Sequence, residues 1–354
     1  MAISDLFDSR QACILLLFSL FTSEWDFLIR QVSCVGINYG QVANNLPPPE
    51  QVLSLLNSIK ITKARIYDTN PHVLTTFANS GVELIVTVPN EVVATLTDPR
   101  QAFQWVETHV KPYYPATRIA GISVGNEVYT TDDPALVANL VPAMVGIHGA
   151  LAQLGLDPYI FVSTSNSLGV LQSSYPPSLG AFRPELAGEM EAFLGFLEAT
   201  RSPFWINAYP YFAYRDDPDG VTLDYVLSNP NPGMTDPNTR LRYDNMLYAQ
   251  VDAVVFAMAR MGFGGIEVRV SETGWPSGGN GEITTVEMAM TYNNNAVRHA
   301  LRGGGTPKRP WKGIELYLFA MFNEDQKPPG VEQHFGLFNP DMSEVYHVNF
   351  TVTS

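Results

Sequence analysis

Eight short apolar runs rich in β-branched residues, separated by stretches of helical pattern, constrain this chain more than any other feature. They cover residues 35–40, 61–68, 82–89, 119–127, 159–166, 203–212, 266–274 and 313–324. Their hydrophobicity is continuous rather than alternating, which suits parallel strands covered on both faces. Eight such strands alternating with helices predict an α/β protein folded as a single (β/α)8 TIM barrel.

The segments between the runs carry helix punctuation. Asp98-Pro99 reads as an N-cap followed by Pro at the first helical position, with Phe103, Val106 and Val110 as an apolar stripe. Pro134 opens a helix over 134–154, and Gly81, Gly155, Gly262 and Gly303 sit where helix C-caps belong. The longest connection, 213–265, starts with two turn-rich clusters before a helical run over 243–261. It predicts a small loop insertion between strands six and seven rather than a second domain.

Residues 12–21 form an apolar run after Arg10 that is too short to span a bilayer but has the length of a signal-peptide core. The expected organisation is therefore a signal peptide and cleavage region over 1–33, cut near 31–33, then one catalytic domain over 34–354. The destination is extracellular or cell wall. Cys13 would leave with the signal, so the mature chain would keep Cys34 alone and form no internal disulfide. Asn349-Phe-Thr351 is a candidate glycosylation sequon, and no second apolar segment follows it, so no membrane span or lipid anchor is expected.

Charge narrows the partner. With 21 Lys plus Arg against 35 Asp plus Glu, the net charge of -14 disfavours nucleic acid and anionic lipid. A neutral ligand fits better. Histidines 72, 109, 148, 299, 334 and 347 lack metal-ligand spacing, and no Walker loop, H-E-x-x-H or G-x-G-x-x-G occurs, so neither a metal nor a cofactor is expected.

In such a barrel the reactive groups lie at the C-terminal ends of the strands. The fourth run ends Ile122-Ser-Val-Gly-Asn-Glu127 and the seventh ends Ser271-Glu272-Thr-Gly-Trp275-Pro-Ser277. Either glutamate alone could be a helix N-terminal charge or half of a rim salt bridge. Two at one barrel mouth can divide acid and nucleophile duties, the arrangement that glycoside hydrolysis requires. Asn126, beside Glu127, is a candidate for bonding a sugar 2-hydroxyl, or a turn former. The eighth run adds Glu324 and Lys327, as a supporting pair or a solvent-exposed rim pair. Aromatics gather at the predicted strand ends: Tyr39, Tyr67, Tyr209, Tyr211, Phe212, Trp275 and Phe322. Such rings can stack on the apolar faces of pyranoses, although many aromatics are core residues; Tyr39, Tyr67, Asn207, Tyr209, Phe212, Trp275 and Phe322 are the candidate substrate contacts.

The motifs Val35-Gly-Ile-Asn-Tyr-Gly40, Val124-Gly-Asn-Glu127, Val270-Ser-Glu-Thr-Gly-Trp-Pro-Ser277 and Phe319-Ala-Met-Phe-Asn-Glu324 resemble those of plant glucan endo-1,3-beta-glucosidases, glycoside hydrolase family seventeen. The likeness runs from about Val35 to the C-terminus. It implies Glu127 as acid/base and Glu272 as nucleophile with retention at the anomeric carbon, support from Glu324 and Lys327, and Tyr39 and Tyr209 lining the cleft. The expected activity is secreted endo-hydrolysis of β-1,3-glucan, callose or fungal wall glucan, by a monomer. Cleavage of mixed-linkage 1,3;1,4-β-glucan and non-catalytic glucan binding are the alternatives.

Overall fold

A computed structural model describes residues 34–351, so the expected signal region over 1–33 lies outside the described residues. Eight parallel strands close into a barrel in chain order: β1 (Val35–Tyr39), β2 (Lys63–Ile66), β3 (Glu83–Val88), β4 (Arg118–Asn126), β5 (Phe161–Ser167), β6 (Phe204–Asn207), β7 (Val268–Thr273) and β8 (Leu316–Leu318). Closure is direct, because Val35 pairs with Leu316 on one side of β1 and Ile37 with Ala64 on the other. Every residue of β1, β2, β6 and β8 is buried, as strands covered on both faces require.

Inside the barrel Ile85, Trp205 and Tyr317 pack together with Phe161 against them. These rings need glycine opposite: a Cβ on Gly36 would strike the Tyr317 ring, and one on Gly121 the Phe161 ring. Below them, at the N-terminal ends of the strands, Lys63 bonds Glu83 at 2.8 Å and Glu315 at 2.7 Å, while Arg269 bonds Glu267 and Glu315. The barrel is therefore plugged, and only its C-terminal mouth is open to a ligand.

The main outer helices are α1 (Pro49–Ser58), α2 (Pro71–Thr76), α3 (Pro99–His109), α4 (Pro134–Gln153), α5 (Ala187–Thr200), α6 (Pro210–Asp216), α7 (Met246–Arg260) and α8 (Val286–Leu301). Asp98 caps α3 by accepting from the Arg100 amide, and Asp133 caps α4 from Ala135 and Leu136. The stripe on α3 centres on Ala102, Trp105 and Val106 rather than on the half-buried Phe103. Gly81, Gly155, Gly262 and Gly303 all adopt positive φ, the left-handed backbone that a helix exit requires. Helix α4 is long and apolar enough to cross a membrane by length and composition. Here it packs as a barrel helix, burying Leu140, Met144, Ile147 and Leu151.

Three expectations need correction. The sixth run predicts extended chain to 212, but β6 stops at Asn207 and Pro210 opens α6, since proline suits the first helical position. The run over 243–261 starts its helix at Met246, because Asn245 caps α7 by accepting from the Tyr248 amide and leaves Tyr243 in a short two-stranded ribbon. The eighth run is a ladder only over Leu316–Leu318; beyond it the chain follows an irregular path with one bridge from Phe322 to Phe338.

Between β6 and β7 lie α6, a helical turn (Leu223–Val226), the ribbon Met234–Thr235 with Arg242–Tyr243, and α7. Between β5 and α5 a second ribbon, Leu171–Ser173 with Ala181–Phe182, has no counterpart in the expectations. The two excursions are tied together. Asp236 accepts from the Ser178 amide at 2.9 Å and its hydroxyl at 2.8 Å, and Arg260 donates to the carbonyls of Ser178 and Gly180.

Asp252 on α7 is fully buried and accepts from the Tyr243 hydroxyl and the Lys308 amide. Burial pushes its carboxyl up from 3.8 to about 6. The folded state thus holds this proton more tightly than the unfolded chain. The resulting stabilisation is complete below about pH 3.8 and is lost as pH rises through about 6, worth on the order of 3 kcal/mol. Denaturant titrations at pH 4 and pH 7 should show Asp252→Asn removing most of that difference; an unchanged difference would place the proton elsewhere.

Candidate active site

The barrel mouth opens into a cleft of about 370 Å³ whose walls include Asn126, Glu127, Glu272, Glu324 and Lys327. Glu127 follows β4 directly. The chain turns there through positive φ at Gly125 and at Glu127 itself, a conformation a non-glycine residue adopts at a cost of about 1–2 kcal/mol. The turn is clamped by Asn90, which accepts from the Asn126 amide at 2.8 Å and donates to the Asn126 carbonyl at 3.2 Å. Strain held this firmly beside an open cleft aims a side chain.

Asn207, at the end of β6, donates to Glu127 Oε1 at 2.8 Å and is itself oriented by the Ser271 hydroxyl. Burial, and next the negative charge of Glu272, hold the Glu127 carboxyl above the ordinary carboxylate range.

Glu272 is set on β7 where the pairing with β6 shifts register, and it is only 7 % exposed. Its Oε1 accepts from Arg65 Nη1 and the Tyr67 hydroxyl, and its Oε2 from the Tyr209 hydroxyl, each at 2.8 Å. All three partners donate, and one carries a full positive charge, so they stabilise a carboxylate. Burial, and next the charge of Glu272, push both tyrosine hydroxyls well above their ordinary range, which keeps them donors.

Arg65 escaped the sequence reading. It is fully buried, donates to Asn126 Oδ1 at 2.8 Å as well as to Glu272, and stacks 4.5 Å above the Tyr67 ring. It takes up the side-chain oxygen of Asn126 and leaves the amide NH₂ for the cleft. The alternation on β2 carried a signal: Lys63, Arg65 and Tyr67 fall on one face, and a guanidinium pointing into a barrel needs an acid there.

Glu324 is buried, accepts from the Val42 amide at 2.7 Å and lies 3.7 Å from Lys327 Nζ. A Cβ on Gly40 would collide with its carboxylate, so glycine at 40 is what lets Glu324 lie against the backbone. Lys327 also sits 4.5 Å over the Phe319 ring. The pair is thus fixed in the cleft wall rather than solvated on the rim.

The aromatic candidates divide. Tyr67, Tyr209 and Phe212 line the cleft, joined by Phe319 and Phe335, which the sequence did not single out. Trp275 is fully buried with its indole N–H donating to the Ile283 carbonyl, so the expectation that it stacks on a ligand is corrected. Tyr39 and Phe322, each 2 % exposed, pack edge to face on one another, and Tyr211 is buried against Trp275. All four are packing residues behind the cleft. Asn207 reaches it only through Glu127. Asn349 is exposed near the end of the described chain and does not line the cleft. Among the described residues, no three His, Cys, Asp or Glu side chains are grouped to hold a metal ion.

Two carboxyl groups sharing one aromatic-walled cleft, one raised in proton affinity by burial and the other held by three donors, can protonate a leaving oxygen and supply a nucleophile. Comparison with known proteins places the chain among glycosyl hydrolases. The family model of "Glycosyl hydrolases family 17" matches residues 35–350. Glucan endo-1,3-beta-glucosidase 10 of Arabidopsis thaliana is 47 % identical over 344 residues, 96 % of this chain and 81 % of that one. Glucan endo-1,3-beta-glucosidase 11 of the same plant is 45 % identical over 90 % of this chain and 76 % of its own length. Among solved structures, CJP38, a beta-1,3-glucanase and allergen of Cryptomeria japonica pollen, superposes with a TM-score of 0.87 at 45 % identity, covering 90 % of this chain and 99 % of that one. One of two plant beta-glucan endohydrolases with distinct substrate specificities superposes at 0.84 with 39 % identity over 89 % of this chain and all of the other.

Proposed function

The chain belongs to the glycosyl hydrolases of family 17, and from that premise we propose that it is a secreted endo-hydrolase of β-1,3-glucan acting with retention at the anomeric carbon. The observation that carries this reading is the contrast between the two glutamates in one cleft: Glu127 held towards its protonated form, Glu272 ringed by Arg65, Tyr67 and Tyr209. Glu127 gives its proton to the glycosidic oxygen as Glu272 attacks the anomeric carbon. A covalent glucosyl ester forms and the leaving chain departs as an alcohol. Glu127, now a carboxylate, takes a proton from water, whose oxygen displaces Glu272 and returns the β-anomer.

Other groups hold these two in position. Arg65 and the tyrosine hydroxyls hold Glu272 aimed, and Asn207 orients Glu127. The Asn126 amide faces the sugar 2-hydroxyl, a bond that strengthens as positive charge builds at the anomeric carbon. Tyr67, Tyr209, Phe212, Phe319 and Phe335 supply ring faces and edges to successive glucosyl units. Secretion rests on the apolar run over 12–21, and the exposed Asn349 is the carbohydrate acceptor we propose for the mature monomer.

The likeness to one of two endohydrolases that differ in specificity keeps mixed-linkage glucan as a second reading. Subsite shape, not the carboxylate pair, separates the two substrates. Laminarin should be shortened rapidly and lichenan slowly; the reverse order would transfer the assignment to mixed-linkage glucan, and cleavage of neither would leave a binding protein.

A further inference from the structure

A short chain of hydrogen bonds runs behind the cleft from the strand that carries Glu272 to the carboxyl of Glu127. Ser271, the residue before Glu272 on β7, is fully buried, and its hydroxyl donates to Asn207 Oδ1 at 2.6 Å. Asn207, 2 % exposed at the end of β6, donates through Nδ2 to Glu127 Oε1 at 2.8 Å. The second oxygen of Glu127, Oε2, has no hydrogen-bond partner among the described residues, and Glu127 lines the cleft.

The two ends of this chain fix its direction. A carboxylate oxygen only accepts, so Asn207 turns its NH₂ towards Glu127 when that group is ionised, and its carbonyl oxygen falls to Ser271. At the other end, Asn207 Oδ1 is the one acceptor that the Ser271 hydroxyl has among the described residues. Were the amide to turn over, Ser271 would accept from the NH₂ and its own proton would be stranded in a fully buried site. That penalty is large enough to disfavour the turned amide about tenfold or more. Ser271 therefore holds Asn207 as a donor in both protonation states of Glu127.

This decides where a proton can sit on Glu127. The oxygen that accepts a hydrogen bond is the carbonyl oxygen of a protonated carboxyl, so with the Asn207 NH₂ on Oε1 the hydroxyl forms on Oε2. We propose that Ser271 is a positioning residue for the acid: acting through Asn207, it confines the transferable proton of Glu127 to Oε2, the oxygen left free for the glycosidic bond. This rests on the proposed function for the role of Glu127.

Ser271→Ala and Asn207→Ala, singly and together, test the assignment on two substrates: a soluble β-1,3-oligosaccharide, and an aryl β-1,3-oligoglucoside whose dinitrophenolate leaves without a proton. On the oligosaccharide, kcat/KM should fall about tenfold for Ser271→Ala with KM near its wild-type value, and the alkaline limb should move to higher pH. The sign follows from the groups around Glu127. Burial, Glu272 on β7 and Glu332 from the segment after β8 raise its carboxyl, whereas Asn207 and Arg65 on β2 lower it. The Tyr209 hydroxyl, held well above its ordinary range, adds no charge. Freeing the amide weakens a lowering contact, so the protonated form persists to higher pH even as its proton points away from the substrate. On the aryl substrate the loss should shrink to within about twofold, which reports intact folding and an intact Glu272. In the Asn207→Ala background Ser271→Ala should add nothing, because its effect passes through the amide.

An unmoved alkaline limb in Ser271→Ala, an equal loss on both substrates, or a further tenfold loss in the Asn207→Ala background would each overturn the proposal. Should Ser271→Ala not fold, Asn207→Ala alone should show the same limb shift and the same split between substrates, and showing neither would overturn it. Glu127→Gln, measured alongside, separates this proposal from the one beneath it. A wild-type limb in Glu127→Gln would remove the acid itself, whereas a lost limb there with an unmoved limb in Ser271→Ala would remove only the positioning role.

Discussion

Glu272→Ala should lower kcat on laminarin by about 10⁴-fold or more while oligosaccharide affinity stays within a few-fold of wild type. The size follows from what the side chain does: without a carboxylate at this point no covalent intermediate can form, and the second half of the reaction has nothing to displace. Binding survives because the aromatic walls and the Asn126 amide remain. The truncation also leaves Arg65 buried without its acid, which costs several kcal/mol of stability, so Glu272→Gln is the companion variant. It keeps an oxygen acceptor for Arg65 and Tyr67, sets an amide NH₂ against the Tyr209 hydroxyl, and should be equally inactive. A Glu272→Gln enzyme with substantial turnover would remove the nucleophile from the scheme.

Glu127→Gln should lower kcat by about 10²–10⁴-fold on unactivated glucan, the range that a positioned proton donor supplies. The pH profile gives the sharper readout. In the proposed mechanism activity requires Glu127 protonated, and burial with the adjacent Glu272 charge raises its carboxyl above the ordinary range. Activity therefore falls as pH rises through that raised value, and this alkaline limb belongs to Glu127. The glutamine variant should lose the limb and should recover rate on substrates whose leaving group needs no proton. An alkaline limb that persists unchanged in Glu127→Gln would assign it to another group.

The barrel was legible because its strands are largely covered on both faces, so the runs read as nearly continuous apolar stretches and stand out from the helices between them. The two glutamates were legible for a related reason: a charge directly after an apolar run has to face an opening. Arg65 was harder, since a cation inside a run reads as an interruption until its face is counted with Lys63 and Tyr67. The aromatics show where composition gives out. Trp275 and Tyr209 both follow strands, yet one ring packs behind β7 against Tyr211 and Tyr292 and the other meets Glu272. That difference depends on side-chain direction after the last ladder bond, which no periodicity reports. Phe335 enters the cleft from an irregular segment, and the ribbon over Leu171–Phe182 is too short to leave a pattern.

The account depends on Glu127 and Glu272 acting in turn on the same anomeric carbon, two displacements rather than one. Proton NMR of the anomeric signals during the first minutes of laminarin cleavage reads this directly, before mutarotation mixes the products. The β-anomer should appear first, with the α-anomer following only at the rate of spontaneous equilibration. An α-anomer that appears first would mean a single displacement by water and would contradict a covalent role for Glu272.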